Sequence, residues 1–305
     1  TEFMMDQRFK IGVIGGGAVG LTYAALLSEV ANMLVLTRRH EQAEHLASGI
    51  KFENRQGESK YYPNVSASTD FSSLRDCDAV IVAVKSYDTE AVAQNLINNV
   101  KDDAVVLTLQ NGIGAFDILI SRLRNPDRVM SGVTYVGASR KDDTTVVNGN
   151  NFLTIVDARA GPIIEAMRAT RLEVRESEDV RQAIWDKLGL NVAQNALSAV
   201  SNLSYGEMFQ SKQCLETASH LLTEFKQVGE AEGLRFGYNL MDRIKNNWRG
   251  SSFYPSMWQD IHHRRRTEID AINGAICRLG KKHHIKTPYN DEIVDEVKRL
   301  ERSNQ

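Results

Sequence analysis

The first residues equipped for chemistry are Gly15-Gly16-Gly17-Ala18-Val19-Gly20, a GxGxxG run that directly follows KIGVI and opens a helical pattern. A glycine-rich turn on its own arises by chance, but one set between a strand and a helix has a physical purpose. Gly15 permits the tight turn, Gly17 lets the backbone approach a pyrophosphate, and Gly20 allows the helix to pack close to the strand. The helix N-terminus then offers free N–H groups and a partial positive charge to phosphate. With Ala18 and Val19 completing the run, the six residues read as a dinucleotide cradle. The plainer alternative is a glycine loop that binds nothing, and the strand–turn–helix context argues against it.

The second set says which dinucleotide. A site for NAD usually carries Asp or Glu at the end of the second strand, where it holds the ribose 2′-hydroxyl. Here the chain has Thr37-Arg38-Arg39 and no acid until Glu41. Two guanidinium groups suit a 2′-phosphate through charge-assisted hydrogen bonds, so Arg38 and Arg39 favour NADPH over NADH. A solvated basic pair is the competing reading. Lys85 follows AVIVAV, and Gln110-Asn111-Gly112 follows VVLTL. Ligands collect at the carboxyl ends of strands in doubly wound sheets, so both segments are expected to face the cofactor crevice.

The third set lies on a helical pattern, WDKLGLNVAQN, from Trp185 to Asn195. Lys187, Asn191 and Asn195 are four apart and therefore share one helical face. Their neighbours Leu188, Leu190, Val192 and Ala196 are apolar. Amides beside a lysine on a mostly buried helix need polar partners, which a substrate or a second helix can supply. Further on, His262-His263-Arg264-Arg265-Arg266 precedes Thr267-Glu268. Adjacent histidines diverge on a helix and no carboxylate has ligand spacing with them, so no metal site is expected. The run reads as a solvated basic face, partly neutralised by Asp260 and Glu268. Glu268 also adjoins the apolar positions Ile269, Ile272, Ile276 and Leu279.

The elements that must position these residues differ between the two halves. In the first, strands are expected at Lys10–Ile14, Met33–Thr37, Ala79–Val84, Ala104–Leu109, Val129–Ala138 and Phe152–Val156, with helices at Leu21–Glu29 and Asp88–Asn98. Alternation of this kind predicts an α/β fold with a Rossmann-type, doubly wound parallel sheet. From about Asp179, helical patterns take over, at Val180–Val200, Leu215–Glu232, Tyr238–Asn247, Trp258–His284 and Asp291–Glu301. This predicts an all-helical C-terminal domain. A polar run at Glu176–Asp179 marks the boundary, giving an NADP-binding domain over 8–177 and a helical substrate and catalytic domain over 178–305. The 305 residues suit two domains, each long enough for a core.

Composition narrows the classes further. A formal charge of −2 gives no electrostatic case for nucleic acid or an anionic membrane. Cys77, Cys214 and Cys277 are far apart and form no CxxC, which fits a reducing cytoplasm. No apolar run approaches the roughly 18 residues of a span. Thr1-Glu2-Phe3 ahead of Met4 reads as an expression remnant.

Five segments together resemble the ketopantoate reductase family over essentially the whole chain. They are GGGAVG at 15–20, AVKSYDT at 83–89, LQNGIG at 109–114, WDKLGLNVAQNALSA at 185–199, and SMWQD with RTEIDAINGAI between 256 and 276. The resemblance implies NADPH-dependent reduction of ketopantoate to pantoate, in a cleft between a Rossmann domain and a helical domain. Position by position, Lys187 matches the catalytic lysine that acts as general acid on the ketone oxygen. Glu268 matches the glutamate that binds the substrate hydroxyl. Asn191, Asn195 and Ser256 match substrate-binding positions, and Asn111 matches the asparagine between nicotinamide and substrate. Arg38 and Lys85 match groups near the adenosine phosphate. One departure is Asn195-Ala196-Leu197-Ser198-Ala199, where the family often has N-P-L-T-A. Alanine there is expected to straighten the helix without abolishing activity.

Two other functions fit the same residues. One is an NADPH-dependent reductase of another 2-keto acid or carbonyl compound. The other is a non-catalytic NADPH sensor, against which Lys187 and Glu268 speak, since a sensor needs no proton donor. The expected partner is a small 2-keto acid, with NADPH/NADP+ as cofactor, a cytoplasmic location, and a homodimer as an admissible assembly.

Overall fold

Runs of Val, Ile and Leu without polar alternation must be covered on both faces, and they form the centre of the first unit. The computed structural model describes residues 8–149 and 151–305; Thr1-Glu2-Phe3 lies outside them. The first unit opens with β1 (Lys10–Ile14), α1 (Ala18–Leu27), β2 (Asn32–Leu36), α2 (His40–Leu46), β3 (Ile50–Asn54), β4 (Ser59–Tyr62) and β5 (Val65–Ser68). Then come β6 (Ala79–Val82), α3 (Thr89–Leu96), β7 (Val105–Thr108), α4 (Ala115–Arg122), β8 (Val129–Thr134) and β9 (Ala138–Arg140). β10 (Thr145–Asn148), β11 (Leu153–Asp157), α5 (Pro162–Arg168) and β12 (Glu173–Ser177) complete it.

The main sheet has the order β12-β11-β8-β7-β6-β1-β2-β5. Strands β5 to β8 with β1 and β2 run parallel, as a Rossmann-type fold requires. β11 pairs antiparallel with β8 and parallel with β12, so the last two strands reverse. The chain builds outward from β1 to β2 and β5, then returns to place β6 on the other flank of β1. The crevice at this switch in direction opens at the carboxyl ends of β1 and β6. Those ends carry Gly15 and Lys85.

A second sheet, β4-β3-β10-β9, was not expected from sequence. The stretch expected as one strand, Val129–Ala138, divides between the two sheets: β8 stops at Thr134 and β9 starts at Ala138. Helix α1 packs against β1 and β2 of the main sheet and against β3, β9 and β10 of the small one. This explains its composition. Gly20 to Leu27 are all buried, and a helix apolar on every side belongs between two layers. Tyr23 on α1 donates to Thr134 Oγ1 at 2.7 Å and lies 2.5 Å from Thr154 Oγ1, tying the helix to β8 and β11.

The second unit consists of Asn111–Gly114 with Arg181–Gln305, while the first ends at Gln110 and resumes over Ala115–Val180. Its helices are α6 (Val180–Ser201), α7 (Tyr205–Gln210), α8 (Lys212–Ala231), α9 (Leu240–Trp248), α10 (Ser256–His262), α11 (Asn273–Lys282) and α12 (Pro288–Ser303). The expected single helix Trp258–His284 is broken. α10 stops at His262, Arg264 takes a left-handed φ of 56°, and only a 3-10 turn at Ile269–Ala271 precedes α11. Long-range bonds hold the break: Glu301 Oε1 accepts from Thr267 N at 2.9 Å and Thr267 Oγ1 at 2.5 Å.

Aromatic packing and a buried polar network fix α6 in this unit. The rings of Trp185 and Phe225 lie 5.7 Å apart, and a Cβ at Gly189 would sit 3.0 Å from Phe225, so α6 and α8 meet closely. The Glu224 carboxylate accepts from Tyr289 N and Asn290 N at 3.1 and 2.9 Å, capping α12. Asn273 Nδ2 donates to Val192 O on α6 at 3.0 Å and to Asn290 Oδ1 at 2.9 Å. Leaving any of these polar groups buried without its partner costs about 1–3 kcal/mol, which makes the network exacting. Among the described residues, no helix is long and apolar enough to cross a membrane.

Candidate active site

The turn after β1 is shaped by backbone demands. Gly15 has φ 120°, and a Cβ there would lie 2.7 Å from Ala83 O. A Cβ on Gly20 would lie 2.1 Å from Gly15 O, so helix and turn touch through backbone. At Gly17 the situation is opposite: a Cβ would meet nothing within 4 Å. Gly17 is also the N-cap of α1, with no side chain capping it and no acid in the first turn. Open space over uncapped N–H groups, including those of Ala18 and Val19, is the environment that phosphate requires. These residues fit a dinucleotide pyrophosphate.

Around this turn the structure gathers residues that sequence reading passed over. Gly16 O accepts from Gln42 Nε2 and from Arg140 Nη1, both at 2.8 Å. Arg38 is exposed, 3.4 Å from Asp88 Oδ2. Arg39 pairs with Glu41 at 3.4 Å and, through Nη2, with Asp143. Gln42 lies 26 and Arg140 lies 124 residues from Gly16, so no local pattern could have flagged them. Lys85 is partly buried and occupies the position just before the 3-10 turn Ser86–Asp88. Gln110 is committed within the first unit, donating to Val84 O at 3.1 Å and Thr89 Oγ1 at 2.7 Å.

In the second unit Lys187 Nζ donates to Asn111 Oδ1 at 2.7 Å. Burial pushes the Lys187 ammonium down to about 8, while the negative charge of Glu268 pulls it the other way. Asn111 is held in turn by its neighbours. Gly112 has φ 77°, a Cβ there would meet Ala271 O at 2.3 Å, and Ile113 N donates to Ala271 O at 3.1 Å. Residues 111–114 therefore rest on the turn that begins just after Glu268. Glu268 is 6% exposed, and its negative charge acts on the buried lysine. Asn191 and Asn195 are buried on the next turns of α6. α6 runs unbroken through Ala196. Ser256 is exposed as the first residue of α10.

A lysine whose ammonium is destabilised by burial, restrained by an amide oxygen and balanced by a carboxylate, is equipped to donate a proton near neutral pH. Residues 11–159 match the family described as Ketopantoate reductase PanE/ApbA, and residues 179–301 match its C-terminal part. The 2-dehydropantoate 2-reductase of Archaeoglobus fulgidus is 30% identical over 300 residues, covering 96% of this chain and 98% of that protein. The crystal structure of a PanE/ApbA family ketopantoate reductase from Ralstonia eutropha JMP134 superposes with a TM-score of 0.90 at 28% identity. It covers 97% of this chain and all of that one. A D-mandelate dehydrogenase solved with NADH and anilino(oxo)acetate shares the fold, with a TM-score of 0.88 at 24% identity and coverage of 97% and 99%.

Proposed function

Because the chain belongs to the ketopantoate reductase family and is thereby an NADP-dependent oxidoreductase acting on a CH–OH group, we propose that it reduces 2-dehydropantoate (ketopantoate) to pantoate in pantothenate biosynthesis. The observation that carries this reading is Lys187 Nζ, 2.7 Å from Asn111 Oδ1 and lowered to about 8 by burial. NADPH, when bound, supplies the hydride. Lys187 hydrogen-bonds the ketone oxygen, stabilises the negative charge that grows there, and donates the proton. With its ionisation near 8, it stays mostly protonated at pH 7 yet is a stronger acid than an ordinary lysine. Glu268 accepts from the substrate hydroxyl and keeps Lys187 charged. Asn191, Asn195 and Ser256 take the remaining polar groups of the 2-keto acid, orienting it for attack.

The division of labour follows the chain. Residues 8–177 hold the cofactor: Gly15 to Gly20 the pyrophosphate, and Arg38, Arg39 and Lys85 the phosphate of the adenosine ribose. Residues 178–305 hold the substrate and the proton donor, and Asn111 serves both. The enzyme acts in the cytoplasm on a small molecule, with a homodimer as its assembly. The fold is shared with a D-mandelate dehydrogenase, so fold alone does not choose among 2-keto acids. Steady-state NADPH oxidation against hydroxylated, aliphatic and aromatic 2-keto acids makes the choice. Ketopantoate should show the highest kcat/KM, and a better aromatic or simple aliphatic substrate would refute the assignment.

A further inference from the structure

The β9–β10 hairpin brings an acid to the place where the end of β2 lacks one. Its turn is tightly built: Asp142 Oδ1 accepts from Thr144 N at 2.9 Å and Thr145 N at 2.8 Å, and Lys141 N donates to Thr145 O at 2.9 Å. Two side chains anchor it at the glycine turn. Arg140 donates to Gly16 O at 2.8 Å, and Gln42 bridges Gly16 O and Asp143 O at 2.8 and 3.1 Å. Asp143 is thus held through its backbone carbonyl, in a hairpin that Arg140 ties to the same glycine turn. One carboxylate oxygen meets Arg39 Nη2, and the other lies 3.0 Å from His45 Nδ1.

We infer that Asp143 is an internal competitor for Arg39, and that it sets how strongly this chain prefers a 2′-phosphorylated dinucleotide. The inference rests on the assignment of Arg38 and Arg39 to the 2′-phosphate. A phosphate dianion approaching Arg39 must displace or share a guanidinium already paired with a carboxylate, and it meets the like charge of Asp143 at short range. A ribose 2′-hydroxyl suffers neither cost. Asp143 therefore takes the part usually played by an acid at the end of the second strand, delivered from a different sheet. It opposes the phosphorylated cofactor. Its side chain is 20% exposed and that of Arg39 50%, so the pair is accessible to a ligand and only partly screened by water. A pair that merely stitched the hairpin to α2 would give the opposite result, since losing Asp143 would then release Arg39 and weaken phosphate binding.

The two roles separate in direct binding of 2′,5′-ADP and 5′-ADP by calorimetry, with no turnover involved. Asp143→Asn should tighten 2′,5′-ADP about three- to ten-fold and leave 5′-ADP within two-fold; Asp143→Ser, a second variant, should do the same if the amide disturbs the turn. In an Arg39→Ala background the gain should shrink. If the ratio of the two affinities is unchanged or falls in both Asp143 variants, the inference is overturned while the NADP reading stands. If the unmodified chain binds 2′,5′-ADP no better than 5′-ADP, the arginine assignment falls, and the inference falls with it.

Discussion

Six consecutive residues make the glycine turn after β1, whereas the cluster around Lys187 draws on α6, on Asn111 76 residues earlier, and on Glu268 beyond a broken helix. The turn works through backbone: an open face at Gly17, and contacts at Gly15 and Gly20 too close for any side chain. The lysine cluster works through side chains whose chemistry depends on burial and on each other. A backbone site is strict about shape and indifferent to pH, while a side-chain site tolerates small changes of shape and depends on charge. The two should therefore fail in different ways when altered.

The largest effect is expected at Lys187→Ala. If Lys187 is the proton donor and the cation beside the developing alkoxide, its loss should lower kcat by about 10²–10⁴. NADPH affinity should stay within two-fold, because the glycine turn proposed for the pyrophosphate is untouched. Pre-steady-state turnover with parallel cofactor titration measures both. Near-normal turnover would return Lys187 to a polar residue that links helices.

Gly20→Ala tests the other half. The new Cβ would lie 2.1 Å from Gly15 O, so backbone has to move. Overpacking of this kind costs about 1–3 kcal/mol. Spent on the turn, that is roughly a ten- to hundred-fold loss of NADPH affinity, with turnover at saturating cofactor much less affected. A variant with intact NADPH binding would show that the turn is not where phosphate sits. Next in size is cofactor choice. NADPH should bind at least ten-fold tighter than NADH, a difference of about 1.4 kcal/mol that a charge-assisted phosphate contact readily supplies. Arg38→Ala should reduce this preference, and equal Michaelis constants for the two cofactors in the unmodified chain would contradict it.

The same contrast explains what could be read from sequence. The turn was legible because its requirements fall on adjacent residues, and α6 because Lys187, Asn191 and Asn195 repeat at helical spacing among apolar neighbours. The small sheet was not legible. Its strands are short and polar, and β3 finds its parallel partner β10 only across most of the first unit. The helix expected over Trp258–His284 failed for a related reason. Apolar residues keep a helical period on either side of the break, and the partner that stabilises the break, Glu301, lies 34 residues beyond Thr267. Asp143 reached Arg39 across 104 residues. Sequence reveals local requirements well, but it cannot reveal a partner that only the folded chain delivers.

The smallest effect is the most diagnostic, and it concerns the pH dependence of the lysine cluster. If Lys187 is the acid, kcat should fall as pH rises through about 8, where the ammonium loses its proton. Burial lowers that ionisation and the charge of Glu268 raises it, so Glu268→Gln removes the opposing influence. The ionisation must then drop further, and the alkaline limb should move to lower pH, by up to about one unit. Glutamine keeps nearly the size and hydrogen-bonding reach of the carboxylate, so the shift isolates charge from packing. If Glu268 also meets the substrate before reaction, the substrate's KM should rise alongside a fall in kcat. Were Glu268 itself the titrating group, the limb would vanish in the glutamine variant. A limb that neither moves nor vanishes would mean that Lys187 and Glu268 do not act on one another, and the cluster would be a scaffold holding residues 111–114 against α6.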